Sequence, residues 1–191
     1  MGSHHFQFSA ITLFSVIALC LMMSPQLARA DQLPIRFNLV PASDAIAACL
    51  PNATAAVTFY PRAERAQGVD TLQVNASGLP PNTTFVLFLT ELPVPPFGAV
   101  EYVGDLTTNA SGQASVRVNA IIEEAFSSQL LSDGSRQRVE LDHIVFWFGD
   151  PAADDVCLGA GQGPVTPFDG DGEAGTAAMS SKNFLPGAPL P

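Results

Sequence analysis

Most stretches of this chain that lie between turn signals alternate apolar and polar residues with a period of two. Ile35, Phe37 and Leu39 alternate with Arg36 and Asn38; Leu72, Val74 and Ala76 with Thr71, Gln73 and Asn75. Ala114, Val116, Val118 and Ala120 alternate with Ser115, Arg117 and Asn119. Each pattern sets one face on a core and the other in water, as antiparallel sheets do. Residues 85–89 (FVLFL) are continuously apolar and bounded by Thr, which predicts a central strand covered on both sides. Residues 57–60 and 100–103 predict further short strands, and 139–148 reads as one strand carrying Trp147. Gly, Pro, Asn and Asp clusters separate them, at 77–82, 93–98, 109–112 and 133–134. Strands this short and this evenly spaced predict an all-β sandwich.

Two stretches are candidate helices. Residues 42–50 are Ala-rich but short. Residues 119–131 open on a capping Asn119, carry Glu123 and Glu124 early, and space Ile122, Phe126 and Leu130 by four. The same stretch reads equally as a strand followed by a loop. From Gly149 the texture turns to Gly, Pro and Asp, so 149–175 reads as a long acidic loop. A short segment at 176–181 and a Pro-rich end follow.

Residues 10–23 (AITLFSVIALCLMM) are too short for a membrane span of about 20 apolar residues. They fit the apolar stretch of a signal peptide, broken at Pro25 and cut after Ala30 of Ala28-Arg29-Ala30. The expected divisions are 1–30 signal peptide, 31–52 N-terminal segment with the first strand, 53–187 the sandwich, and 188–191 a tail. Cleavage leaves no transmembrane anchor and places the protein in the cell envelope, the periplasm or the extracellular space. In an oxidising compartment the even pair Cys49 and Cys157 predicts a disulfide.

The chain has 8 Lys and Arg against 18 Asp and Glu, a formal charge of -10. With no basic stripe, nucleic-acid binding through phosphates is excluded. His143 is the sole histidine after Ala30 and falls on the apolar face of its strand with Val145 and Trp147. It is expected to be a core histidine. A general base would need an orienting carboxylate, and on a strand Asp142 points to the opposite face. No nucleophile motif accompanies it, so an envelope hydrolase using His143 ranks third among the functions and no catalytic residue is assigned.

The acidic loop is the better candidate. Asp169, Asp171 and Glu173 alternate with Gly170 and Gly172, and Asp150, Asp154 and Asp155 lie just before. Oxygen ligands on a Gly-rich loop suit Ca²⁺, although the spacing is not that of an EF-hand. Zinc is disfavoured by the lack of free His and Cys. Ile144, Phe146 and Phe148 make the second face of the Trp strand apolar too, the mark of a covered central strand rather than an exposed sugar platform. Four Asn-x-Ser/Thr sequons, at Asn52, Asn75, Asn82 and Asn109, fall in predicted turns or strand ends.

The run Gly78-Leu79-Pro80-Pro81-Asn82-Thr83 followed by FVLFL resembles the turn and strand of immunoglobulin-like or fibronectin-type-III-like modules. A larger set resembles a group of secreted bacterial proteins of unknown function. It comprises Pro96-Phe97-Gly98, Tyr102, Gly104-Asp105, Thr108-Asn109, Phe146-Trp147-Phe148, Cys157, residues 166–171, Ala174-Gly175 and Asn183-Phe184. Those proteins commonly place a His after Asp-Gly-Asp, where this chain has Gly172-Glu173, so no role of that His carries over. The resemblance spans about residues 53–187 and implies an exported immunoglobulin-like antiparallel β-sandwich of about seven to nine strands. The expected function is non-catalytic, a structural or interaction module for an extracellular protein or glycan. The runner-up is a Ca²⁺-dependent, carbohydrate-binding module using Asp169, Asp171 and Glu173.

Overall fold

The structure, a computed structural model, describes residues 33–61, 69–168 and 172–191, together with Gly2. The expected signal peptide and its cleavage point at Ala30 lie outside the described residues, as do Asp169 and Asp171. Twelve strands follow in chain order. They are β1 (Ile35–Pro41), β2 (Thr54–Tyr60), β3 (Asp70–Ser77), β4 (Thr84–Thr90), β5 (Val100–Thr107) and β6 (Ala114–Ala120), then β7 (Phe126–Leu130), β8 (Arg136–Glu140), β9 (His143–Phe148), β10 (Thr166–Phe168), β11 (Gly172–Ala174) and β12 (Ala177–Ser180). Among the described residues two short helices, α1 (Asp44–Cys49) and α2 (Asp155–Leu158), and two 3-10 turns accompany the strands. Among the described residues no helix is long and apolar enough to cross a membrane.

Eight strands form one antiparallel sheet in the order β5-β4-β9-β12-β1-β2-β3-β6. It folds over on itself at β1. Ile35 to Leu39 pair with β2, while Val40 and Pro41 pair with β12, so one strand serves both layers. The alternation read from the sequence becomes two inner faces. Phe37, Leu39, Val57, Phe59, Leu72 and Val74 come from one layer, and Phe85, Leu87, Leu89, Ile144, Phe146 and Phe148 from the other. The two ends of the sheet then meet without pairing. A Cβ added at Gly104 of β5 would lie 3.2 Å from Val118 Cγ2 of β6, so a side chain there would crowd the near-closed seam.

The register of β5 slips by one residue where it passes β4. Gly104 pairs with Leu87, but Tyr102, not Val103, pairs with Phe88. A one-residue insertion moves every later side chain to the other face. Val103 therefore packs on the core, and Tyr102 and Val100 are delivered to the outside of the sheet beside Phe88. This bulge builds one wall of the site described below.

One open reading is decided and two expectations are corrected. Residues 119–131 are not a helix: β6 runs to Ala120, Ile122 N and Glu123 N donate to Asp70 Oδ2 at 2.7 and 2.8 Å, and β7 follows. Spacing by four is shared by a helix face and a strand face, which is why the pattern misled. The stretch 139–148 is two strands: Leu141 N turns aside to donate to Ala125 O at 3.0 Å, so β8 closes a hairpin with β7 while β9 enters the main sheet. The 149–175 segment is more than a loop, since it holds a 3-10 turn, α2 and the β10–β11 hairpin.

Cys49 ends α1 and Cys157 lies in α2, and the two sulfurs form a disulfide with the Cα atoms 5.3 Å apart. Ser43 caps α1 by accepting from Ile46 N. At the C-terminal end Leu190 is buried in the core and donates its N–H to Asp142 O at 3.2 Å.

Candidate functional site

The outer face of β4 and β9 carries a second, smaller apolar cluster. The even residues of β4 and the odd residues of β9 point away from the main core, which places Val86, Phe88, Val145 and Trp147 together. Phe88 and Trp147 pack edge to face with centroids 5.2 Å apart. Ordinarily such a face would be covered or wet. Here two loop segments stand on it as walls with hollows left between them.

The first wall is the loop after β4. Leu92 N donates to Phe97 O, Phe97 N to Val94 O, and Ala99 N to Glu91 Oε2. These bonds hold Phe97 at φ 61° and Gly98 at φ 69°. A bulky side chain is disfavoured at positive φ and persists only where its surroundings fix it. Phe97 is fixed by Trp147, with ring centroids 4.8 Å apart. Gly98 has no alternative, because a Cβ there would meet the Glu91 carboxylate.

The second wall is the β10–β11 hairpin. Phe168 meets Phe88 at 5.3 Å and Tyr102 at 6.2 Å between centroids. Thr166 Oγ1 donates to Gly175 O at 3.1 Å and ties the hairpin to the start of β12. Between the walls lies a hollow of about 190 Å³ floored by Phe88 and Trp147 and sided by Phe97, Phe168 and Val100. A second hollow of about 270 Å³ opens past Trp147 and Phe97 toward Ala42 and Pro164. The third, about 260 Å³, opens toward Tyr102 and Glu101. The second hollow shares Phe97 and Trp147 with the central one, and the third shares Phe88 and Phe168 with it; the three hollows together are termed the cleft.

The sequence assigned none of these aromatics to a site. Pro96, Phe97, Gly98, Tyr102, Trp147, Thr166, Pro167 and Phe168 come from separate stretches of the chain that share no periodicity. In space they converge on this cleft.

The residues singled out from sequence lie elsewhere or act locally. Glu173 is exposed on β11. Asp150 caps the 3-10 turn through Ala152 N, and Asp155 Oδ1 accepts from Gly161 N at 2.7 Å. Among the described residues no three His, Cys, Asp or Glu side chains gather as a metal site. Asp154 is wholly buried; its Oδ2 accepts from Thr176 N at 2.6 Å and its Oδ1 has no partner among the described residues. Gly163 and Gly175 lie against that carboxyl, each where a Cβ would collide with it.

His143 is buried, and its Nδ1 lies 2.9 Å from Ser181 Oγ. Ser181 Oγ also accepts from Ile144 N at 3.1 Å and is itself fully buried. Asp142, expected on the opposite face, precedes the strand and brings Oδ1 to 3.9 Å from His143 Nε2. Serine, imidazole and carboxylate are thus in line, but the hydroxyl faces the chain's own backbone and none of the three lines the cleft.

Burial pushes the His143 pKa below its ordinary 6.5, and the Asp142 carboxylate opposes this in part. Burial pushes Asp154 above its ordinary 3.8, against the Thr176 N–H bond and with help from Asp155. The two have opposite signs in stability. The unfolded chain binds more protons at His143, so stability is full above about 6.5 and falls as acidification passes below it. The folded chain binds more protons at Asp154, so that contribution is full below 3.8 and is lost as pH rises through the raised value. Relative to His143→Gln, the parent's urea midpoint is expected to fall from pH 7 to pH 5, the Asp154 contribution being common to both. An unchanged slope in the variant would remove His143 as its source.

No protein-family model matches the chain, and no curated protein matches it in sequence.

Proposed function

We propose that the protein is a non-catalytic binding module, exported to the cell envelope or beyond, whose ligand site is the aromatic cleft on the outer face of β4, β5 and β9. One observation carries this reading. Five aromatic side chains from five separate elements, Phe88, Phe97, Tyr102, Trp147 and Phe168, converge and line hollows of the surface. Apolar concave sites with few polar groups are what small ligands and partner side chains enter. The strand order supports the finer reading of an immunoglobulin-like sandwich: β2, β3 and β6 stand where strands A, B and E stand in that fold. On the same reading β5, β4, β9 and β12 take the places of C′, C, F and G. In this reading β1 is an added strand between G and A. The disulfide suits an oxidising compartment.

His143 and Ser181 then serve the fold, one hydroxyl satisfying both the imidazole and the Ile144 N–H. Trp147 is the chain's single tryptophan, so indole fluorescence reports on the floor of the cleft alone. A panel of glycans, peptides and small organic cations should contain members that shift this emission saturably, and Phe97→Ala should weaken them at least about tenfold, the loss of about 1.4 kcal/mol. If nothing in the panel shifts the emission, or if binding survives Phe97→Ala intact, the cleft is not the site.

A further inference from the structure

We propose that, whatever occupies the cleft, the outer edge of β7 is a self-pairing surface through which two copies of the chain join about a two-fold axis. The product is one continuous sheet in the order β8-β7-β7-β8. Among the described residues the β7–β8 hairpin forms a sheet of its own, and every residue from Ser128 to Arg138 is exposed. A two-stranded hairpin is only marginally stable in water until further strands or a core cover it.

The ladder within the hairpin decides what the outer edge offers. Leu131 N donates to Ser135 O and Leu141 N to Ala125 O, so the odd residues of this stretch spend their backbone groups on the β8 side. In an antiparallel pair the alternate residues then point theirs away. Phe126, Ser128 and Leu130 therefore present their N–H and C=O groups along the outer edge. A two-fold axis through Ser128 sets Ser128 against its own copy and Phe126 against Leu130 of the other chain. Every one of those groups is then paired, as an isologous interface requires.

The side chains fit the same register. Phe126 and Leu130, 53% and 62% exposed, share one face, and each comes to lie beside the other residue of the second copy as one apolar strip. β7 carries neither charge nor Pro, the devices that block strand addition at exposed edges. β8 is defended: Arg136, Arg138 and Glu140 hold its outward positions, and pairing about Arg138 would set two guanidinium groups opposite each other. Arg136 Nη1 reaches Ser128 O at 3.3 Å, a long, exposed contact that swings aside on pairing. One strand edge is small beside the roughly 20–30 residues per side of a stable interface, so the dimer is a weak one.

Sedimentation equilibrium of the purified protein over roughly 1 μM to 1 mM tests this. The average mass is expected to climb from one chain toward two and no further, because pairing uses up the β7 edge. Ser128→Pro removes an N–H that β8 does not use, and should weaken association at least about tenfold with the circular dichroism unchanged. Ser128→Lys, which sets like charges together on the axis, should do the same and decides the matter if Pro disturbs the hairpin. Ser128→Cys should form a disulfide-linked dimer in air at least about tenfold faster than Gln137→Cys on β8, because Cα atoms opposed in such a pair lie about 5.5 Å apart. A parent that stays monomeric throughout, or that assembles beyond two chains, would overturn the two-fold pairing. So would association that survives both Ser128→Pro and Ser128→Lys, and equal cross-linking of the two cysteine variants would overturn the register about Ser128.

Discussion

Breaking the Cys49–Cys157 bridge is expected to lower the unfolding free energy by about 4 kcal/mol. The bridge closes 108 residues between α1 and α2. In the chain-entropy account a loop of that length restricts the unfolded chain by about 4–5 kcal/mol, and native disulfides commonly contribute about 2–5 kcal/mol. Because the effect lies in the unfolded state, the double variant Cys49→Ser, Cys157→Ser should keep the native fold and its cleft. It should also unfold with a steeper urea dependence, since a chain freed of its cross-link exposes more surface. Equilibrium urea unfolding checks both, by circular dichroism of the variant against the oxidised parent. A loss under about 1 kcal/mol would mean the unfolded chain already holds these segments together.

The second large effect is expected at Phe146. It is fully buried, pairs with Leu87 on one side and Met179 on the other, and packs edge to face on Phe85 at 5.4 Å. It therefore sits where β4, β9 and β12 all contribute to the main core. Phe146→Ala should cost about 3–5 kcal/mol, the lost transfer of the ring plus the cavity left behind. Phe126 supplies the contrast. That ring is 53% exposed and covered on one face by the Arg138 guanidinium, so Phe126→Ala should cost under about 1 kcal/mol. Thermal melts of the two variants side by side would show the difference, and similar midpoints would refute the assignment of Phe146 to the shared core.

How much of this was legible in the sequence depends on the length of chain over which a pattern has to hold. Ile35, Phe37 and Leu39, or Leu72, Val74 and Ala76, announce strands because three alternations on one face have little other meaning, and both strands are present. FVLFL announces a strand covered twice, and β4 has the main core on one face and the Trp147 cluster on the other. Residues 119–131 were ambiguous because their spacing fits either periodicity, and only the Asp70 carboxylate, remote in sequence, decides for a turn and a strand. The cleft was invisible for a related reason. Tyr102 faces outward because of one extra residue at the bulge, and Phe97 because of a left-handed backbone, neither of which has a period. Asp154 looked like one acid among six in a loop, yet among the described ones it alone is buried, with glycines nine and twenty-one positions away packed against its carboxyl.

The double allegiance of β1 sets an order on folding. Val40 of the first strand pairs with Ser180 of the last, and β12 is the sole bridge from β1 to β9. One half of the sheet can assemble early from β1, β2 and β3, which are neighbours in sequence. The other half gains its sheet hydrogen bonds to β1 only when residues 177–180 of β12 arrive. Until then β1 and β9 both present bare edges, the surfaces on which strands of other chains dock. Contacts of such long sequence separation are slow to form. A chain delivered from its N-terminus thus passes through an interval, set by the length of the polypeptide rather than by local propensity, in which its two layers are made but not joined.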